Sequence, residues 1–215
     1  MLPPLRVRTY SLSMAPSFKP LHCSLTFSVV RGPAWSGSGK YLGVGSNYLA
    51  SLTPGSSLYI SPRPAKDSFH LPTDLSSKPI IMISAGSGLA PFYSFIQERK
   101  VWQQQGKPLA TALLFFGCRG PHMDDLYYQE LCEYEAAGVV SIYRAYSRDP
   151  EHILANGCRY VSHRVVAESA TIRNLWDQNA TVYVCGSGDM AKGVRTALED
   201  ALGALSEDRY ITEIF

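Results

Sequence analysis

From residue 78 onward, short apolar runs of strand length alternate with amphipathic stretches of helix length, a pattern that folds as a parallel sheet with crossover helices. Residues 80–83, 112–116, 140–146 and 181–185 read as four buried strands. Between the first two, a helix opens at Pro91, carries Phe92, Phe95, Ile96 and Trp102 on one face and ends at Gly106. A second helix takes Leu126, Leu131 and Tyr134 toward Gly138, and weaker helical stretches centre on Val165 and Leu175. The clearest helix follows the fourth strand, where Met190, Val194, Ala197, Leu198, Ala201, Leu202 and Leu205 form one apolar stripe. Tyr210, Ile211 and Ile214 predict a last strand over residues 209–215.

Before residue 78 the texture is all-β. Residues 25–30 and 58–61 look like strands, separated by a Gly/Ser/Trp loop over residues 32–40. Such a segment is too small and too rich in turns to close a barrel alone, and its boundary falls in the polar stretch 72–78. The predicted class is therefore α/β: a partial antiparallel β-barrel over residues 1–77, then a parallel-sheet domain over residues 78–215.

Composition narrows the function. The chain has 215 residues with a net charge of +2, and no Lys/Arg run tracks a phosphate backbone, which argues against nucleic acid. Up to Ser77, however, seven Lys or Arg face two acidic residues, a local excess that suits an anionic cofactor or is simply a solvated surface. The five cysteines are odd in number and never spaced as Cys-x-x-Cys, and the five histidines form no metal-spaced set, so neither a disulfide framework nor a metal site is expected. No apolar run reaches the roughly 20 residues that cross a bilayer. Pro3, Pro4, Arg6 and Arg8 interrupt any signal-peptide core, and a soluble, cytoplasmic protein with reduced thiols is the expectation.

Two loops stand out. Strand, then Gly86-Ser87-Gly88-x-x-Pro91, then helix lets main chain approach a pyrophosphate while helix amides donate to it; the plain alternative is a tight strand-to-helix turn, because Pro91 replaces the usual third glycine. No acid immediately follows the second strand to select a free ribose 2′-hydroxyl. Ser147 and Arg148 follow the third strand, with Arg159 and Tyr160 beyond. A hydroxyl with guanidinium forks fits a 2′-phosphate and so favours NADP, unless these are ordinary surface arginines. Cys185 and Gly186 end the fourth strand, where open parallel sheets place ligands, although a buried Cys is often only an apolar filler. In the first segment, Arg8-Thr9-Tyr10-Ser11 offers a cation, an aromatic and a hydroxyl on extended chain, which suits a flavin. Gly43-Val44-Gly45-Ser46 leads into a helix with Tyr48, Leu49 and Leu52 whose first amides suit a diphosphate.

Taken in order, Arg-Thr-Tyr-Ser, Gly-Val-Gly-Ser-Asn-Tyr-Leu, Ser-Ala-Gly-Ser-Gly-Leu-Ala-Pro-Phe, Phe-Gly-Cys-Arg, Tyr-Ser-Arg and Tyr-Val-Cys-Gly resemble the ferredoxin-reductase-like part of diflavin NADPH-haemoprotein (cytochrome P-450) reductases. The resemblance is greatest to the reductase halves of self-sufficient P-450 fusion proteins and covers nearly the whole chain. It implies an FAD on the β-barrel, NADPH on the α/β domain, and hydride passing from NADPH to FAD, with electrons going on to an FMN-binding domain or a haem protein. By motif match, Arg8, Thr9, Tyr10 and Ser11 would hold the FAD, Thr26, Phe27 and Ser28 would line it, and Gly43, Val44, Gly45 and Ser46 would cap its pyrophosphate. Gly86, Ser87 and Gly88 would face the NADP phosphates, and Ser147, Arg148, Arg159 and Tyr160 its 2′-phosphate and adenine end. Ser11, Cys185 and Glu213 match the polar set beside the hydride path, and Phe215 falls where the family stacks an aromatic ring on the flavin.

The match has departures. Glu213 stands where the family usually has Asp and Phe215 where it has Trp, the loop from Arg148 to Arg159 is longer than usual, and Cys158 and Arg159 compete for the position of a family lysine. Only a few residues separate Leu205 from Arg209, where the family runs another helix. Against the family pattern the chain reads as N-terminally truncated, without the first barrel strands, the connecting insertion or an FMN or haem domain. The alternative function is a non-catalytic NADP-binding remnant that does not retain FAD.

Overall fold

The computed structural model describes residues 7–64 and 69–215; Pro3, Pro4 and Arg6, on which the leader argument rests, lie outside them. A five-stranded parallel sheet carries the larger part. Its strands are β3 (Ile80–Ala85), β4 (Ala112–Cys118), β5 (Ser141–Tyr146), β6 (Thr181–Gly186) and β7 (Tyr210–Ile214), in the order β5-β4-β3-β6-β7; β1 (Arg31–Pro33) and β2 (Lys40–Leu42) form a separate small sheet. Successive strands move outward from β3 in one direction through β5, then resume on its other side with β6. A crevice therefore opens between the carboxyl ends of β3 and β6, where the winding reverses.

Alternation along β3 explains why its run is apolar throughout. Ile80 and Met82 pack on the side covered by α2 (Leu89–Gln104) and α3 (Tyr128–Ala136), with Phe92, Ile96 and Leu131. Ile81 and Ile83 pack on the opposite side, under α4 (Val161–Ala167), α5 (Ser169–Asp177) and α6 (Gly188–Leu202), with Val165, Trp176, Val194 and Leu198. Both faces are buried, so a period of two cannot appear in the sequence.

The helix expected to open at Pro91 begins two residues earlier, at Leu89, after a 3-10 turn over Gly86–Gly88. Proline sits in the first turn, where its missing N–H is not needed. The second helix begins at Tyr128, leaving Leu126 in the loop before it. The short link before the tail suffices: Gly203 caps α6 with φ 83°, a turn bonds the Arg209 and Tyr210 amides to Ser206 O, and β7 then pairs in parallel with β6.

The N-terminal part corrects the strand expectations. Neither residues 25–30 nor 58–61 form a ladder. The paired strands are β1 (Arg31–Pro33) and β2 (Lys40–Leu42), antiparallel, at the two ends of the segment expected to be a loop. Gly37 and Gly39, both with positive φ, make the turn between them. A strand exists only with a partner, and among the described residues the 25–30 run has no ladder, its one strand-type pairing being an isolated bridge from Leu12 to Leu25. The helix expected after the Gly-Val-Gly-Ser run forms as α1 (Val44–Ser51).

Candidate functional site

The crevice is floored by main chain. Gly86 adopts φ +56°, the left-handed region, with nothing within 4 Å of where a Cβ would stand, so its backbone faces open space. Gly88 has the opposite reason to be glycine: a Cβ there would lie 2.2 Å from the Cys185 carbonyl oxygen, so β6 and the turn after β3 pack backbone to backbone. No side chain caps the 3-10 turn or α2; the Leu89 amide bonds Gly86 O and Ser87 O, and the amides before it belong to the 3-10 turn that carries Ser87.

One register row crosses the sheet at the same level: Ser84 of β3 pairs with Cys185 of β6, which pairs with Glu213 of β7. The Ser84 hydroxyl is fully buried and has no partner among the described residues. Cys185 is also fully buried, and burial, followed by the charge of Glu213, pushes its thiol up to about 12. The thiol therefore stays neutral at physiological pH. Ser11 Oγ donates to Glu213 Oε2 at 3.0 Å, so all three residues expected beside the hydride path occupy one end of the sheet. Phe215 follows directly, its amide donating to Gly186 O at 3.3 Å and its ring exposed.

The expected flavin motifs also converge. The Tyr10 ring meets Phe27 edge-on at 5.8 Å, joining the Arg8–Ser11 run to Thr26, Phe27 and Ser28. A Cβ on Gly45 would stand 3.2 Å from both the Tyr10 hydroxyl and Arg8 Cγ, so glycine lets α1 approach that run closely. Gly43 is likewise held against Val30, where a Cβ would be 2.8 Å away. The Ser46 hydroxyl turns inward, accepting from the Val30 amide and donating to Gly43 O, while Asn47 bonds Val30 O and Gly43 O. No side chain caps α1, so the amides of Val44, Gly45 and Ser46 stand at an open helix start. Thr9 and Ser28 are exposed.

At the other end of the crevice, Ser147 and Arg148 continue β5, their amides donating to Cys118 O and Arg119 O. Cys158 is brought alongside by its carbonyl, which accepts from Tyr146 N, and this sets Arg159 and Tyr160 beside the same strand end. Arg148 and Arg159 are exposed and make no ion pair among the described residues, and Tyr160 meets His163 edge-on. Between the competing candidates for the family lysine, Cys158 is buried and Arg159 faces solvent. The acids of the loop after β4 are committed elsewhere. Asp124 pairs with Arg119 at 2.8 Å; the fully buried carboxylate of Asp125 accepts from Arg144 Nε at 2.9 Å and from the Tyr146 hydroxyl at 2.6 Å.

The residues present fit a pyridine dinucleotide on three counts: the open left-handed Gly86, the 3-10 turn over Gly86–Gly88 that no side chain caps, and the orphaned Ser84 hydroxyl in the row behind them. They fit a flavin diphosphate at the uncapped α1 start, beside Arg8 and Tyr10. Among the described residues there is no cluster that would hold a metal ion, and no helix is long and apolar enough to cross a membrane.

Sequence reasoning missed Ser84, Asp125 and Tyr127. Ser84 is one letter inside an apolar strand, and Asp125 and Tyr127 sit in a polar loop where only the fold shows what they reach. The Asp-Asp pair before an apolar helix was the one available signal.

Comparison with known proteins agrees with the nucleotide-binding part of this geometry. The family described as the oxidoreductase NAD-binding domain matches residues 82–196. The chain is 74% identical over 215 residues to a self-sufficient cytochrome P450 monooxygenase of Penicillium camemberti and 69% identical to one of Aspergillus terreus, in both cases over all of this chain and 20% of the relative. It is 48% identical over 233 residues to a third, from Oidiodendron maius, again over the whole chain and 22% of the relative. The chain spans about a fifth of the length of these curated relatives.

Proposed function

The chain belongs to the oxidoreductase NAD-binding domain family, and on that premise we propose that it is the NADPH- and FAD-handling piece of a haemoprotein reductase, delivering electrons to an FMN-binding domain or a haem protein. The observation that carries this reading is the hydrogen bond from Ser11 to Glu213, which sets the flavin-type Arg-Thr-Tyr-Ser run against the mouth of the nucleotide-type sheet. Residues 1–77 serve the flavin and residues 78–215 the nucleotide. The relatives' names speak of a P450 monooxygenase, which supports a haem acceptor for this chain. Five unpaired cysteines suit a reducing, cytoplasmic setting.

Gly86, Ser87 and Gly88 would hold the nucleotide's diphosphate through main-chain amides, and Ser147, Arg148, Arg159 and Tyr160 its 2′-phosphate and adenine end. Arg8, Thr9, Tyr10 and Ser11, with Thr26 to Ser28, would hold the flavin, and the start of α1 would hold its diphosphate. When bound, NADPH would supply a hydride and FAD would accept it. Ser11 and Glu213 would orient and balance charge beside that site, the neutral Cys185 thiol would line it, and the Phe215 ring would cover it from water.

The purified chain, titrated with FAD, is expected to develop a bound-flavin absorbance spectrum and then to reduce ferricyanide faster with NADPH than with NADH. A folded chain that stays colourless and inactive defeats the reading. One observation favours a second reading, an NADP-binding remnant that does not retain FAD: on the flavin side the described residues include only two three-residue strands and leave Val30, Tyr41, Leu42, Val44 and Tyr48 exposed. Heat on titration with 2′,5′-ADP, with no uptake of flavin, selects it.

A further inference from the structure

Tyr127 lies in the loop between the nucleotide-side strand β4 and α3, yet its side chain ends among the flavin-side residues. Its backbone is left-handed, with φ 56°, a conformation that a bulky side chain adopts only when its surroundings enforce it. The ring stacks on Tyr93 of α2 with centroids 3.7 Å apart and planes within 6°. The hydroxyl lies 2.5 Å from Thr26 Oγ1 and donates to Ser13 Oγ at 3.3 Å, and Ser13 Oγ in turn lies 2.9 Å from Ser24 Oγ. One phenol thus reaches both extended segments of the flavin side, the one that begins at Arg8 and the one that contains Phe27.

The first of those segments is held at alternate residues. Ser11 bonds Glu213 on β7, Ser13 bonds Tyr127, and the Ala15 amide donates to Gln97 Oε1 of α2 at 2.9 Å. The chain bends at Ser13 and Met14, and these three contacts hold it against the parallel-sheet part on both sides of that bend. The second segment has no such row. Thr26 is its one side-chain tie to the nucleotide side among the described residues, and that tie is Tyr127.

We infer that Tyr127 is a positioning residue: its hydroxyl clamps the Thr26–Ser28 segment in register with the nucleotide mouth, so that hydride donor and acceptor meet at a set distance, although Tyr127 touches neither. This rests on the flavin and NADPH reading above. Tyr127→Phe keeps the stack on Tyr93 and removes only the hydroxyl; Thr26→Val removes the other end of the same bond.

Hydrogen exchange on the chain without cofactors gives the first readout. Each substitution is expected to speed exchange over residues 24–28 by about tenfold, and the double variant to add nothing to the effect of Tyr127→Phe there, because Thr26→Val removes a bond that Tyr127→Phe has already removed along with the one to Ser13. Affinity for 2′,5′-ADP is expected to stay within about twofold of the parent. In the flavin-loaded chain, Tyr127→Phe should lower kcat for NADPH-driven ferricyanide reduction about tenfold while leaving KM for NADPH unchanged, a split that general loosening of the fold does not produce. Unchanged exchange in Tyr127→Phe, or effects of the two substitutions that multiply, overturns the inference. If the parent chain takes up no FAD, the functional reading fails, and the exchange comparison still decides the clamp.

Discussion

Ser11 and Glu213, separated by 202 positions in sequence, share a hydrogen bond of 3.0 Å, and through it the start of the described chain meets its end. Glu213 stands in register with Cys185 and Ser84, so the bond brings the polar row of the parallel sheet to the flavin-type motif. Glu213→Gln keeps an acceptor for Ser11 and removes the charge. Stopped-flow reduction of the flavin-loaded chain by NADPH should slow by roughly a hundredfold, with nucleotide affinity unchanged. An unaltered rate would remove Glu213 from the hydride path.

Gly86 and Gly88 should respond differently to the same added methyl. At Gly88 it would meet the Cys185 carbonyl oxygen at 2.2 Å, with main chain on both sides unable to yield, and urea unfolding should register a loss of about 3 kcal/mol. At Gly86 there is space but a left-handed φ, so Gly86→Ala should lose only about 1 kcal/mol. It should nevertheless bind NADPH more weakly, because the methyl occupies the approach to the backbone. Equal stability losses for the two variants would contradict this division of roles.

Arg148 and Arg159 are exposed at the end of β5 and in the loop beside it, and make no ion pair among the described residues. Replacing either with Ala should raise KM for NADPH about tenfold and leave KM for NADH unchanged, since NADH lacks the 2′-phosphate. Steady-state assays with both coenzymes check it. A parallel loss with NADH would mean that these arginines act on something other than that phosphate.

Asp125 and Asp124 are adjacent in sequence and should differ sharply in stability. The Asp125 carboxylate is fully buried with Arg144, itself 3% exposed, so Asp125→Ala strands a buried guanidinium and should cost about 4 kcal/mol in chemical denaturation. Asp124 pairs with a half-exposed Arg119, and its removal should cost less than about 1 kcal/mol. Comparable losses would show that the Asp125–Arg144 pair is not the anchor of that strand end.

The parallel sheet was legible in the letters. Residues 80–83, 112–116 and 182–185 are apolar throughout because both faces of those strands are buried, and the stripe from Met190 to Leu202 shows its helical period because one face of α6 meets water; Leu205, expected on the same stripe, lies beyond the helix, which Gly203 ends. The glycines of the crevice were legible too, since Gly88 packs main chain against main chain with no room for a Cβ and Gly86 holds a left-handed φ. Residues 25–30 have the composition of a strand but lack a ladder, whereas β1 and β2 formed in a stretch that reads as loop: strand pairing depends on a neighbour, and composition does not name one. The joining of Ser11 to Glu213, the burial of Asp125 and the reach of Tyr127 to Thr26 were likewise decided only in three dimensions. Hydrogen bonds between distant residues are set by where packing brings the chain, and no local pattern records that distance.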